Sequence, residues 1–307
     1  MEAGLTVLLA FYDLEDGPVS FDFATWLVRA RMEQEARGAK KLHVVVVPKE
    51  DGLGGFSRHW GKHDAAAAEW RLWSIVAGCC PLASATLTIA PSRWYAQALE
   101  RSPDPQWKPK GKAHFMGPIV QASRGGVKIP KLRATDGARR YVASWLGKEA
   151  RPVLTLTTRQ QETDDERNSN LRAWDLLATH AERSGFRVVL LEDSNIALGK
   201  GRGYAEHSPD LRLALYERAA MNFIGNNGPQ ELLKFSDAPY RIFGLALSNG
   251  WKQHFRERLA LEPGEQLPWA TEHQRLIYEQ DSEDVLIREF DEWRLPVEER
   301  PRAQATS

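Results

Sequence analysis

The sequence predicts an α/β protein of two halves, each an open parallel sheet with helices on both faces. Apolar runs of strand length alternate with helix-spaced segments from Leu5 to Glu100, and the alternation resumes at Arg151 after a break. Such alternation marks βα units and parallel strands. Composition agrees: 42% hydrophobic and 27% charged residues sit near the globular average, which argues against disorder or a fibrous repeat.

In the first half, Leu5 to Leu14 (LTVLLAFYDL) reads as a buried strand, and FDFATWLVRARMEQEARG as a helix stopped by Gly38. Leu42 to Pro48 (LHVVVVP) is a continuous apolar run suited to a strand covered on both faces. A Gly- and His-rich loop follows. Ala65 to Ala77 reads as a helix, SATLTIAP as a third strand, and SRWYAQALE as a helix capped by Ser92. From Arg101 to Arg133 the pattern lapses. Eight Lys or Arg face one acid, Asp104, and the stretch is expected to be a linker or excursion.

The second half begins with a helix in TDGARRYVASWLGK and a strand from Arg151 to Arg159. A helix over Asn168 to Ser184, strand FRVVLLED, a helix over Asp210 to Ala220 and strand MNFIG follow, then a helix over Pro229 to Phe235 and strand YRIFGLA. The acidic, amphipathic TEHQRLIYEQDSEDVLIREFDEW is expected as a terminal helix packed across the halves. This divides the chain into residues 1–135, with the basic excursion, and residues 136–307. No internal repeat is seen.

Several classes are disfavoured. Forty-one basic residues balance forty-one acidic ones, so no global field draws the chain to nucleic acid or membrane. The only cysteines, Cys79 and Cys80, are neighbours and poorly placed for an unstrained disulfide, which fits a reducing, cytoplasmic setting. The start of the chain lacks a signal peptide's basic n-region. The longest apolar stretch, Trp73 to Ala90, is broken by Gly78 and Pro81.

Candidate chemistry gathers at strand ends. In FIGNNGPQEL (Phe223 to Leu232) a strand runs into Asn-Asn-Gly-Pro, and a helix starting near Pro229 would offer free N–H groups to an anion. Asn226 and Asn227 tolerate left-handed backbone and could hydrogen-bond a ribose or sugar, although the same string serves any tight strand-to-helix turn. In TTRQQETDDERNSN, Thr158, Arg159, Arg167 and Asn170 are donors suited to a diphosphate; the alternative is a solvated loop with Asn168 or Ser169 as helix cap. Glu192 and Asp193 end another strand, where a carboxylate could accept ribose hydroxyls. GKGRGY (Gly199 to Tyr204) fails the dinucleotide fingerprint because no strand leads directly into it, and reads as a loop.

In the first half, FYDLEDGPVSFDF puts Asp13, Glu15 and Asp16 after strand one. Asp13, nearest the strand end, is the trial general base; the alternative is an Asp-Gly turn with Ser20 or Asp22 capping the next helix. His59 and His63 are four apart, but Gly61 between them and the lack of a local third ligand argue against metal. His59 and Arg71, with nearby tryptophans, suit acceptor recognition, against the alternative that Trp70 and Trp73 are core. The basic stretch 108–133 could meet anionic headgroups or a phosphorylated acceptor, or be a solvated excursion. It has too few aromatics for a single-stranded nucleic-acid platform.

The segment ERAAMNFIGNNGPQELLKFSDAPYRIFG resembles part of the heptosyltransferase-like GT-B glycosyltransferases of bacterial surface-polysaccharide synthesis. In that family a strand, an Asp-Ser/Thr-Gly-Pro-like turn and a helix precede a strand ending in Phe-Gly, and the turn binds the donor's phosphates. Here Asn226 replaces the Asp, Asn227 the Ser or Thr, and Glu231 stands where His is frequent. The resemblance implies two Rossmann-like halves facing a cleft. It implies a cytoplasmic enzyme, with the inner membrane face as an option through the 108–133 patch, that moves a sugar from a nucleotide-sugar donor to a saccharide or lipid-linked acceptor. No metal or other cofactor is required. Asp13 would be the base. Thr158, Arg159, Arg167, Asn170, Asp193, Asn226, Asn227 and Gly228 would hold the donor, and His59 and Arg71 the acceptor. A sugar-nucleotide epimerase or hydrolase, or a non-catalytic binding protein, are the alternatives on the same fold.

Overall fold

The computed structural model describes residues 6–50, 65–148, 150–160, 165–193, 208–245, 253 and 256–295. Among them, strands form two sheets in which every pairing is parallel. The first has the order β3-β2-β1-β4, from β1 (Val7–Asp13), β2 (Lys41–Val47), β3 (Thr86–Ile89) and β4 (Gln106–Trp107). The second has the order β6-β5-β7-β8-β9, from β5 (Val153–Arg159), β6 (Arg187–Asp193), β7 (Met221–Ile224), β8 (Tyr240–Ile242) and β9 (Gln274–Leu276). The expected α/β class is therefore observed, with β1 and β2 on the apolar runs read from sequence and β5 on the expected strand Arg151–Arg159.

Helices sit where spacing and caps place them. In α1 (Asp22–Ala36), Phe23 and Trp26 pack on Tyr12 of β1 with ring centroids 4.8 and 4.9 Å away. Helix α2 (Ala65–Arg71) continues as wider π turns over Leu72–Ala77. Ser92 caps α3 (Arg93–Leu99) by accepting from the Tyr95 N–H, and Thr135 caps α5 (Asp136–Leu146) by accepting from Ala138. Asn170, not Asn168 or Ser169, caps α6 (Leu171–Arg183). Helix α7 (Pro209–Arg218) packs on α5.

Two segments depart from expectation. The basic stretch contains β4 and α4 (Gly117–Arg124), because Trp107 packs on Trp26 at 5.3 Å and Ile119 and Val120 are fully buried. It is thus part of the core, not a linker. Its cations are largely committed to acids: Lys108 to Glu100, Arg124 to Glu265, and Lys131 and Arg133 to Asp237. The terminal segment holds β9 before its helix α9 (Glu283–Arg294). That helix packs on α6 within the second half instead of bridging the halves, with Phe290 against Phe186 at 5.3 Å.

The halves are joined by a common core. One cluster of buried side chains runs from Leu8 and Trp26 through Met116 and Leu132 to Tyr216, Leu232 and Ile242. This explains why α1 buries residues around most of its circumference: the first sheet covers one side, and α8 (Gln230–Lys234) of the second half covers another. Among the described residues, no helix is long and apolar enough to cross a membrane.

Candidate functional site

The carboxyl ends of β5, β7 and β8 open into a cavity of ≈ 200 Å³ whose walls include Arg167, Ser169, Asn170, Asn226, Gly244 and Asp281. Ligands of open parallel sheets bind at this end of the strands. The volume is below the ~300–1,000 Å³ of ordinary small-molecule pockets. A whole nucleotide sugar therefore needs room beyond these walls.

The cavity's polar groups are held by an internal network. Arg167 donates from Nη2 to the Asn226 carbonyl at 2.9 Å and to Asn226 Oδ1 at 3.4 Å. Asn226 donates from Nδ2 to the Gly244 carbonyl at 3.1 Å, tying the end of β7 to the end of β8. Arg159 donates to Asn168 Oδ1 at 2.8 Å, and its backbone N–H donates to Ser169 Oγ at 2.9 Å. A Cβ on Gly225 would meet that Oγ at 2.9 Å, so glycine lets the β5 and β7 ends approach. Asp281 Oδ2 accepts from the Asn170 N–H at 3.0 Å and from Trp174 Nε1 at 2.5 Å. The amino end of α6 is thus already served by the protein's own carboxylate.

The asparagine turn is built differently from expectation. Neither Asn226 nor Asn227 has positive φ; among described non-glycine residues only Ser84 and Ala260 do. Helix α8 has five residues, too short for the anion-binding amino terminus expected near Pro229. Gly228 has negative φ as well. Glycine is needed there because a Cβ would meet Phe21 Cδ2, from the first half, at 2.9 Å. Asn227 is 1% exposed, and both its side-chain Nδ2 and Oδ1 are buried with no hydrogen-bond partner among the described residues. Such a group costs ~1–3 kcal/mol, a penalty that packing alone gives no reason to keep.

The same turn meets α1. Thr25 Oγ1 donates to Glu231 Oε2 at 2.9 Å, and Lys234 Nζ pairs with Glu231 Oε1 at 2.7 Å in a fully buried setting. Glu231 is therefore a buried anion of the seam. Next to it, Asp22, first residue of α1, is ion-paired with Arg258 and accepts from Ser20 Oγ at 3.1 Å. Burial works to raise the Asp22 pKa, but Arg258, His114, the Ser20 hydroxyl and Lys234 outweigh it and hold the carboxyl below its ordinary value. Burial pushes the neighbouring His114 down to about 4, with Asp22 offsetting only part. His114 is neutral at neutral pH, and its Nδ1 is buried with no partner among the described residues.

Asp13 has another fate. Both its oxygens accept from Arg93, Oδ1 at 2.9 Å and Oδ2 at 2.6 Å, and Oδ1 also accepts the Glu15 N–H. Arg93 in turn binds the Pro48 carbonyl, so this pair ties α3 to the ends of β1 and β2. Asp13 thus ties α3 to the first sheet, and it is not among the described residues lining the strand-end cavity.

The structure therefore brings together Arg167, Asn170 and Asn226. Thr158, Arg159 and Asn227, 2%, 3% and 1% exposed, are buried and do not line the cavity, and Gly228 packs against Phe21, just ahead of α1. Asn170's side chain is spent on capping. Asp193 lies opposite Arg159 on the edge strand β6. His59 and the GKGRGY loop lie outside the described residues. Arg71 ends α2, and no described contact joins it to the cavity; Trp73, expected as core in one reading, is 58% exposed. Asp22, His114, Arg258 and Asp281 were not singled out as site residues. Asp22 did stand beside the helix start, but as a cap. Among the described residues, no three His, Cys, Asp or Glu side chains converge as a metal site would require.

No protein-family model matches the chain, and no curated protein matches it. Solved structures do overlap with it. An iron-containing dodecameric glycosyltransferase from enterotoxigenic E. coli aligns at 14% identity over 79% of this chain with a TM-score of 0.41. The chain spans 59% of that protein's length. A family 9 glycosyl transferase from Veillonella parvula aligns at 11% identity over 95% of this chain and 98% of its own, with a TM-score of 0.49. The E. coli ADP-heptose lipopolysaccharide heptosyltransferase II aligns at 11% identity over 94% and 98%, again at 0.49. Overlap at these levels is likeness of backbone course and is no evidence of shared activity.

Proposed function

We propose that the chain is a glycosyltransferase that moves a sugar from a nucleotide-sugar donor to a saccharide or lipid-linked acceptor. The observation that carries this is the side-chain amide of Asn227, buried with no partner among the described residues, in the strand-to-helix turn next to Asn226 of the cavity wall. In this reading Arg167 meets the donor's diphosphate, Asp281 accepts ribose hydroxyls, and Asn227 binds the donor once the seam opens. Asp22, kept ionised by Arg258, takes the acceptor hydroxyl proton as the sugar transfers. Arg258 and Arg167 supply the positive charge that steadies the departing diphosphate, so activity should survive a chelator.

Thermal-shift screening against UDP-, GDP-, CMP- and ADP-linked sugars tests the reading. One donor class should raise Tm in the wild type and shift Arg167→Gln much less, whereas no shift with any donor would overturn it. One observation favours a second reading, a non-catalytic sugar-nucleotide binding protein: both candidate carboxylates, Asp13 and Asp22, are already in arginine ion pairs. Donor binding with no sugar release or transfer to any acceptor would select that reading.

A further inference from the structure

The turn that joins β7 to α8 holds more orphaned polar atoms than Asn227 alone supplies. Asn226 donates from Nδ2 to the Gly244 carbonyl at 3.1 Å, and a carbonyl only accepts, so the other end of that amide is the oxygen. Gln230 meets this oxygen with Nε2, at 3.3 Å, which fixes the second amide in turn. Its Oε1 is left buried with no hydrogen-bond partner among the described residues, as are Nδ2 and Oδ1 of Asn227. Gln230 is 7% exposed and Asn227 1%. Two of the three orphaned atoms are therefore acceptors, whichever way the Asn227 amide is turned.

Buried acceptors call for a partner that donates. An ionised diphosphate offers only acceptors and would set oxygen against oxygen here. Sugar hydroxyls both donate and accept, and so match one amide that presents both functions beside a lone carbonyl oxygen. Position agrees with chemistry. Arg167, which meets the diphosphate in the proposed scheme, donates to the Asn226 carbonyl at 2.9 Å. At the other end of the turn Glu231, the neighbour of Gln230, accepts from Thr25, three residues along α1 from Asp22. The turn is thus tied on one side to the diphosphate's arginine and on the other to the helix that carries the proposed base, where the transferred sugar has to lie.

We infer, on the glycosyltransferase reading, that Asn227 and Gln230 bind the hydroxyls of the donor's sugar and set which sugar is taken. The family resemblance assigns this turn to phosphate, a role that needs donors. Gln230 supplies an acceptor instead.

Calorimetric titration of UDP-glucose beside UDP, GDP-mannose beside GDP, and ADP-glucose beside ADP into the full chain separates the sugar from the nucleotide. In the wild type the sugar should tighten binding in at least one pair. Asn227→Leu and Gln230→Met should each weaken that nucleotide sugar about tenfold or more and leave its bare diphosphate unchanged, whereas Arg167→Gln should weaken both alike. Asn227→Leu keeps the bond between Asn226 and Gln230, so its effect is not that of a broken turn. Equal loss of both ligands in the turn variants would return the turn to phosphate and overturn the inference. Turn variants that bind both ligands as the wild type does, or a sugar that tightens no pair in the wild type, would overturn it while the glycosyltransferase reading stood. Failure of every ligand to bind the wild type would overturn both.

Discussion

Asp13 and Asp22 lie nine positions apart, yet they serve different parts of the molecule. Asp13 closes a tie inside the first half, with 29% of its side chain exposed and Arg93 filling both oxygens. Asp22 stands at the seam, where Arg258, Lys234 and Glu231 of the second half converge on α1. The turn between them doubles back, with Tyr12 donating to the Pro18 carbonyl at 2.5 Å. Nearness to a strand end along the chain is therefore a poor guide to which carboxylate meets the other half.

The largest effect should break this comparison or confirm it. Asp22→Asn is expected to lower transfer by roughly 10²–10⁴, the usual worth of a general base, while Asp13→Asn leaves it nearly intact. Stopped assays with the donor found by screening would show this; the reverse ranking would restore Asp13 to the chemistry. On stability, Asp13→Asn should cost only ~1 kcal/mol or less, as half-exposed ion pairs do.

The seam should be far less forgiving. Lys234→Met leaves Glu231 buried with Thr25 alone, and an orphaned buried charge costs ~3–5 kcal/mol. Urea unfolding should record a loss of that order, and a loss below ~1 kcal/mol would mean the seam is not closed in solution. His114 sharpens the same point through pH. Its folded pKa of about 4 lies below the ordinary histidine value near 6.5, so between these values the unfolded chain binds a proton that the folded chain refuses. Stability should fall as pH drops through that window, by up to ~3 kcal/mol. In His114→Leu the fall should be shallower. Asp22, also lowered, loses its contribution only at still more acid pH, as its carboxyl protonates.

A smaller effect tests the turn. Gly228→Ala sets a methyl against Phe21 and should cost ~1–3 kcal/mol, as overpacking does. Phe21→Ala should cancel much of that cost in the double variant, as residues in contact do.

The fold was largely legible because its signals are local. β1 and β2 are apolar runs, and Ser92 and Thr135 cap the helices they precede. β4 and β9 were not legible, since two or three residues carry no periodicity and pair only because Trp107 and Leu276 find a distant core. The site was half legible. Arg167, Asn170 and Asn226 follow strands and so announce themselves, whereas Asp281 lies 111 positions from the Asn170 N–H it accepts. Arg258 is 236 positions from Asp22, a partnership no local spacing encodes.

Asn227→Leu tests the central claim most directly. The substitution removes two buried polar atoms that have no partner among the described residues and keeps the side chain's bulk. Measured together, Tm should hold or rise while calorimetric affinity for the identified nucleotide sugar drops tenfold or more. A lowered Tm with unchanged affinity would mean that Asn227 serves only to turn the chain.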